Sequence, residues 1–101
     1  MVTICHGYAE SAGFYLFMAG DKRYSDKNSI LMFHNCCTEI SGGTTYITQE
    51  MEQIEIQEQR LVDVVVHNSK LTKDILKKNG TGKNWYFTPT EMKKYGICTV
   101  F

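Results

Sequence analysis

The chain has 101 residues, with 11 Lys and Arg set against 11 Asp and Glu, and 43% of its residues are hydrophobic. A formal charge of zero argues against nucleic acid as a main partner, because phosphate contacts need a surplus of Lys and Arg. The longest apolar run, residues 14–19, falls far short of the ~20 residues that span a bilayer, so no membrane partner is expected.

This length predicts a single domain over residues 1–101 with a modest share of buried surface; no repeat, low-complexity tract or linker divides it. Residues 1–7, Met-Val-Thr-Ile-Cys-His-Gly, lack the basic and long apolar regions of a secretory signal, which predicts a soluble, cytoplasmic chain. Cys5, Cys36, Cys37 and Cys98 follow no disulfide-scaffold spacing and read as reduced thiols, buried or incidental. His34, Cys36, Cys37 and Cys98 form one cramped cluster where structural zinc uses two well-spaced ligand pairs, so neither a metal nor a cofactor is expected.

In chain order, residues 2–5 are rich in β-branched side chains and predict a strand, turning at Gly7. Residues 10–19 predict a helix that stops at Gly20, and residues 21–29 are polar and turn-rich. Residues 30–33 are an apolar run suited to a buried strand, which completes a βαβ unit. Gly42-Gly43 marks a loop or hairpin tip. Residues 46–67 then carry Ile47, Met51, Ile54, Leu61 and Val65 on one stripe of an amphipathic helix. Glu50, Glu52, Glu55 and Glu58 crowd its first half, where the helix dipole favours them. A shorter helix is predicted over residues 70–78, broken by Asn79-Gly80-Thr81-Gly82. Thr88 at the N-cap, Pro89 at the first helical position and Glu91 two further on predict another helix start, and residues 97–101 a closing strand. The fold class is therefore α/β. Continuously apolar strands need cover on both faces, and so few helices cannot supply it. The pattern implies tight oligomerisation or membership of a larger domain.

Chemistry concentrates in Gly7-Tyr8-Ala9-Glu10-Ser11-Ala12-Gly13, between a strand and a helix. Ser11 there is either an ordinary N-cap or a nucleophile at a helix start, with the Ala12 N–H available to an oxyanion. His34 follows the apolar strand and would emerge at its C-terminal end, the edge where open α/β sheets place their sites. Parallel strands would bring Ser11 and His34 to one edge, and a His within reach of the hydroxyl is the base such a nucleophile needs. His6 and His67 have no comparable placement.

These residues carry a family resemblance. The Gly7–Gly13 segment, then Ala19-Gly20-Asp21-Lys22-Arg23-Tyr24, then Asn28-Ser29-Ile30-Leu31-Met32-Phe33-His34, resembles the Clp protease proteolytic subunit (ClpP) family. The likeness resumes around Ile54-Glu55-Ile56 and covers Thr88-Pro89-Thr90-Glu91-Met92-Lys93-Lys94-Tyr95-Gly96-Ile97. It implies a ClpP/crotonase-like fold, present here as the C-terminal half of the family's domain. It also implies serine peptidase chemistry, with Ser11 as nucleophile, His34 as general base, Ala12 as oxyanion donor and the long helix as the handle joining two rings. The implied partners are further copies or related subunits in an oligomeric chamber, a Clp-type AAA+ unfoldase and an unfolded polypeptide substrate.

Three departures accompany the likeness. The family's N-terminal half, with a Gly-Gly loop that gives a second oxyanion donor, has no counterpart; Gly42-Gly43 follows the histidine and is not that loop. Counting back from Tyr95-Gly96 puts Asn84 where the family has its acid, with Asn79 or Asp74 as substitutes. In a Ser-His-Asp triad, Asp-to-Asn costs ~10⁴ through the wrong His tautomer, although papain-like enzymes work with Asn. His34 is followed by Asn35-Cys36-Cys37 where the family commonly has Gln-Pro, and Trp85 stands where many members carry Arg at a ring contact. The alternatives are a catalytically impaired assembly subunit of a mixed ring, and a crotonase-type acyl-CoA enzyme, which would not need the Ser11–His34 pair.

Overall fold

The computed structural model describes residues 1–35 and 39–99. Strand β1 (Val2–Cys5) runs parallel to β3 (Lys22–Ser25), with Val2 opposite Lys22 and Cys5 opposite Ser25. Strand β2 (Tyr8–Glu10) runs parallel to β4 (Ile30–Phe33), with Tyr8 opposite Ile30 and Glu10 opposite Met32. The other edge of β4 pairs antiparallel with β5 (Trp85–Tyr86), giving the order β2-β4-β5. Helix α1 (Ala12–Met18) links β2 to β3 and buries Phe14, Phe17 and Met18. Phe14 stacks on Phe87 at 5.2 Å between ring centres and meets Phe33 edge-on at 6.1 Å, which seats α1 against β4 and the segment after β5.

The strand–helix–strand pattern is therefore doubled. Residues 8–10 form a strand rather than a turn, α1 begins at Ala12 rather than at residue 10, and the polar segment 21–29 contains β3. Short strands with one polar face give no sustained apolar period, so propensity alone misses them. In β3 the residue that holds the sheet in place is a charged one. Arg23 is only 3% exposed. Its Nε donates to the Ile97 carbonyl and its Nη1 to Gly20, both at 2.7 Å; its Nη2 donates to Asn68 at 2.6 Å and to Gly96 at 2.8 Å. The planar guanidinium thus ties the end of α1, the long helix and the C-terminal segment together, an arrangement that an ammonium cannot reproduce.

Helix α2 (Thr44–His67) runs for 24 residues, about 36 Å at the usual rise, and gives the molecule its long axis of 49 Å. Its stripe is buried only at Val65; Ile47 and Ile54 are half-buried, and Met51 and Leu61 are exposed. Its first turn holds no acidic residue, because the helix begins at Thr44 and the first glutamate is Glu50. The dipole decays within one turn, so it does not account for Glu50, Glu52, Glu55 and Glu58. Helix α3 (Lys73–Gly80) is capped by Thr72, whose Oγ1 accepts the Ile75 N–H at 3.2 Å. The helix runs through Asn79 and Gly80, where the sequence pattern suggested a break. A Cβ at Gly80 would lie 2.4 Å from Cδ1 and Cε1 of Phe33, so only glycine lets α3 approach the end of β4 this closely.

Helix α4 (Pro89–Lys94) has the capping box that the sequence predicts: the Glu91 N–H donates to Thr88 Oγ1 at 3.1 Å, and the Thr88 N–H donates to Glu91 Oε1 at 3.0 Å. Residues 97–99 are not a strand. Ile97 and Cys98 are buried in the core, and the Thr99 N–H bonds the Arg23 carbonyl at 3.0 Å; Val100 and Phe101 lie outside the described residues. On the parallel strands Val2, Ile4, Tyr8 and Ile30 remain 56%, 61%, 73% and 44% exposed. This is the uncovered strand surface that the shortage of helices implies.

Candidate active site

Ser11 sits between the last residue of β2 and the first of α1, at φ 55° and ψ −116°. An L-residue rarely takes this conformation, and two backbone anchors impose it here. The Ser11 N–H donates to the Met32 carbonyl at 3.2 Å, extending the β2–β4 pairing by one residue. The Ser11 carbonyl then accepts the N–H groups of Phe14 at 3.1 Å and Tyr15 at 3.3 Å, which starts α1. Strand register fixes one side of the residue and helix geometry the other. The hydroxyl makes no capping bond to the helix, so the reading of Ser11 as an ordinary N-cap fails. Ala12 is the first residue of α1, where a backbone N–H has no acceptor within the helix.

His34 follows β4 directly. Since Glu10 lies opposite Met32, Ser11 is one residue and His34 two residues beyond that pair, at the same C-terminal edge of parallel strands. Asn84 reaches that edge from the other side: Phe33 is opposite Trp85, and His34 and Asn84 are the next residue along each strand. The three sequence-predicted positions are thus assembled by β4 and its two neighbours. Asn84 is exposed. The two substitutes, Asn79 and Asp74, both stand on α3. Asn79 spends its Nδ2 on the Ile75 carbonyl at 2.9 Å, and Asp74 stands in the first turn of α3, six residues and about 9 Å of helix from Gly80.

Sequence reasoning treated Asn35 only as a departure from a pattern. In the structure it is held from two sides. Its N–H donates to the Gly80 carbonyl at 2.9 Å, and its Oδ1 accepts the Gly82 N–H at 3.2 Å. Its carbonyl accepts a hydrogen bond from His34 Nδ1 at 2.5 Å. Asn35 and Phe33 also line one wall of a cleft of about 490 Å³ between α2 and α3, with Glu55, Glu58, Lys73 and Lys77 on its other walls.

The thiols are placed elsewhere or not described. Cys5 and Cys98 are buried. Burial pushes the Cys98 thiol up to about 11 and raises that of Cys5 as well. Of the residues His34, Cys36, Cys37 and Cys98 considered as a zinc cluster, Cys36 and Cys37 lie outside the described residues. Trp85 faces inward, its ring 4.5 Å from that of Phe87 and 5.8 Å from that of Tyr95, with its indole N–H on Glu91 Oε2 at 3.1 Å.

A family model described as Clp protease matches residues 1–100. The chain belongs to the Clp protease family. Among its relatives, the ATP-dependent Clp protease proteolytic subunit of Deinococcus radiodurans is 31% identical over 97 residues, which cover 94% of this chain and 47% of that protein. The ATP-dependent Clp protease proteolytic subunit 1 of Streptomyces avermitilis is 26% identical over 97 residues, covering 94% of this chain and 44% of that protein. The chain therefore spans less than half the length of these curated relatives. Its mixed α/β architecture agrees with the fold of the Clp protease family. Among the described residues, no helix is long and apolar enough to cross a membrane.

Proposed function

We propose that the chain is the catalytic half of a ClpP-type serine endopeptidase subunit, with residues 1–101 as a single partial domain that works in the cytoplasm without a cofactor. One observation carries this reading: Ser11 is held at φ 55° at the end of β2, its hydroxyl uncommitted to the helix, one residue short of the level at which His34 leaves β4. In the reaction, Ser11 Oγ attacks a peptide carbonyl while His34 Nε2 takes its proton. The Ala12 N–H bonds the oxyanion, and the imidazolium then returns the proton to the leaving amine. Water hydrolyses the acyl-serine by the same base in reverse. In this reading Asn84, the residue next to Trp85 in the strand paired with β4, takes the place of the family's acid as third member.

A complete oxyanion hole needs a second donor, and lacking one typically costs ~10²–10³ in rate. In this reading that donor comes from a polypeptide supplying the family's N-terminal half, which packs on the bare strand face around Val2, Ile4 and Tyr8. The assembled subunits form an oligomeric chamber, joined through the exposed stripe of α2, and a Clp-type AAA+ unfoldase feeds unfolded polypeptide into it. A second reading, an assembly subunit without activity of its own, is favoured by the amide of Asn84 where an acid would stand.

A fluorophosphonate probe separates the two. Labelling of the purified chain, alone or with the N-terminal half of a family member added, that disappears in Ser11→Ala supports the peptidase. A folded, assembled sample that takes up no probe leaves the assembly subunit.

A further inference from the structure

A base in a serine enzyme must be neutral with its proton on the ring nitrogen that faces away from the serine, so that the other lone pair can accept. A side-chain amide such as that of Asn84 does not enforce this, because it can donate as well as accept; this is why Asp-to-Asn exchange in a triad selects the wrong tautomer. A backbone carbonyl has no such ambiguity. It can only accept, so whichever ring nitrogen it bonds must carry the hydrogen.

In this chain that bond is already made within the loop after β4. His34 Nδ1 is bonded to the carbonyl of Asn35, which requires Nδ1–H and leaves the Nε2 lone pair free. A carbonyl in a loose loop would rotate away, but the residue that carries this one is anchored at its N–H and at its side chain. The Asn35 N–H is bonded to the Gly80 carbonyl, and the Gly82 N–H is bonded to Asn35 Oδ1. The two clamping residues are themselves constrained. Gly80 is pressed on the Phe33 ring with no room for a Cβ, and Gly82 has φ +72°, which an L side chain adopts only with strain. The residue after His34 thus holds a specific backbone group against the histidine.

We infer that Asn35 is the positioning residue for His34: clamped by Gly80 and Gly82, its main-chain carbonyl sets the Nδ1–H tautomer in place of the family's acid. Asn84 is dispensable for that purpose. This role rests on the peptidase reading for its purpose, but its physical content can be measured without any activity.

The experiment is long-range proton–nitrogen NMR of the ¹⁵N-labelled chain, with His34 assigned by comparison with His6→Gln and His67→Gln. The imidazole of His34 is expected as the Nδ1–H form, unchanged in Asn84→Ala. Asn35→Ala, which removes the Gly82 clamp, shifts it toward the Nε2–H form that free imidazole favours. Asn35→Asp keeps an acceptor for the Gly82 N–H and restores Nδ1–H. Where probe labelling occurs, its rate falls about 10²-fold in Asn35→Ala, as for a misplaced catalytic group, and recovers in Asn35→Asp. An Nε2–H signal in the unmodified chain overturns the inference without recourse to any variant. So does a tautomer that responds to Asn84→Ala and not to Asn35→Ala. An Nδ1–H signal in a chain whose Ser11 takes no probe even in a folded, assembled sample removes the peptidase reading and leaves the clamp standing.

Discussion

Replacing Ser11 by glycine should make the protein more stable while removing the proposed nucleophile. At φ 55° and ψ −116°, Ser11 lies where an L-residue carries ~1–3 kcal/mol of backbone strain. The anchors to Met32, Phe14 and Tyr15 are all main-chain bonds, so they survive any substitution that keeps the N–H and carbonyl. Glycine releases the strain but adds freedom to the unfolded chain, worth ~0.4–1 kcal/mol in the other direction. Alanine provides the reference: it loses the hydroxyl, which caps nothing, and keeps the Cβ and its strain. Ser11→Gly should therefore exceed Ser11→Ala in stability by about 1.3 kcal/mol, the difference between the centres of those two ranges. In urea unfolding followed by circular dichroism, at a slope of ~1–3 kcal/mol/M that the substitution leaves unchanged, this is a midpoint shift of about 0.4–1.3 M. Neither variant should take up a serine-directed probe. If Ser11→Gly unfolds at or below the midpoint of Ser11→Ala, the turn holds no stored strain, and the account of Ser11 as a forced elbow between β2 and α1 is wrong.

Two further outcomes follow from buried and capping groups. Arg23→Leu orphans four carbonyls, those of Gly20, Asn68, Gly96 and Ile97. At ~1–3 kcal/mol for each of the two fully buried bonds and less for the two that water can reach, the loss is about 3–6 kcal/mol, read from urea midpoints; a loss under ~1 kcal/mol would contradict the hub. Glu91 has its carboxyl held below its usual range, chiefly by the Thr88 N–H and also by the Thr88 hydroxyl and Trp85 indole. A depressed native value means that this contribution is fully present above the ordinary value of 4.5 and is lost as pH falls below it through the native value. Glu91→Gln should therefore flatten the stability profile in the acid range while lowering stability near pH 7 by about 1 kcal/mol, as for a weakened cap; an unchanged acid slope would refute the assignment.

What the sequence determined by itself was set by local rules. The stripe of Ile47, Ile54 and Val65 defines α2, and Thr88-Pro89-Thr90-Glu91 specifies a capping box whose bonds form as the pattern demands, because both depend on residues within one or two turns. The order and spacing of the Ser11 and His34 segments were enough to point to the family. Tertiary structure decided the rest. Strands β2 and β3 are three and four residues long with mixed polarity, and they exist because β4 and β1 offer partners, which no local window contains. Arg23 reads in sequence as one more surface charge, and only the convergence of four distant carbonyls makes it the centre of the fold. The conformation of Ser11 needs a strand register on one side and a helix on the other. The setting of His34 needs α3 to bring Gly80 and Gly82 to Asn35, a contact across some 45 residues that becomes visible only when the chain is folded.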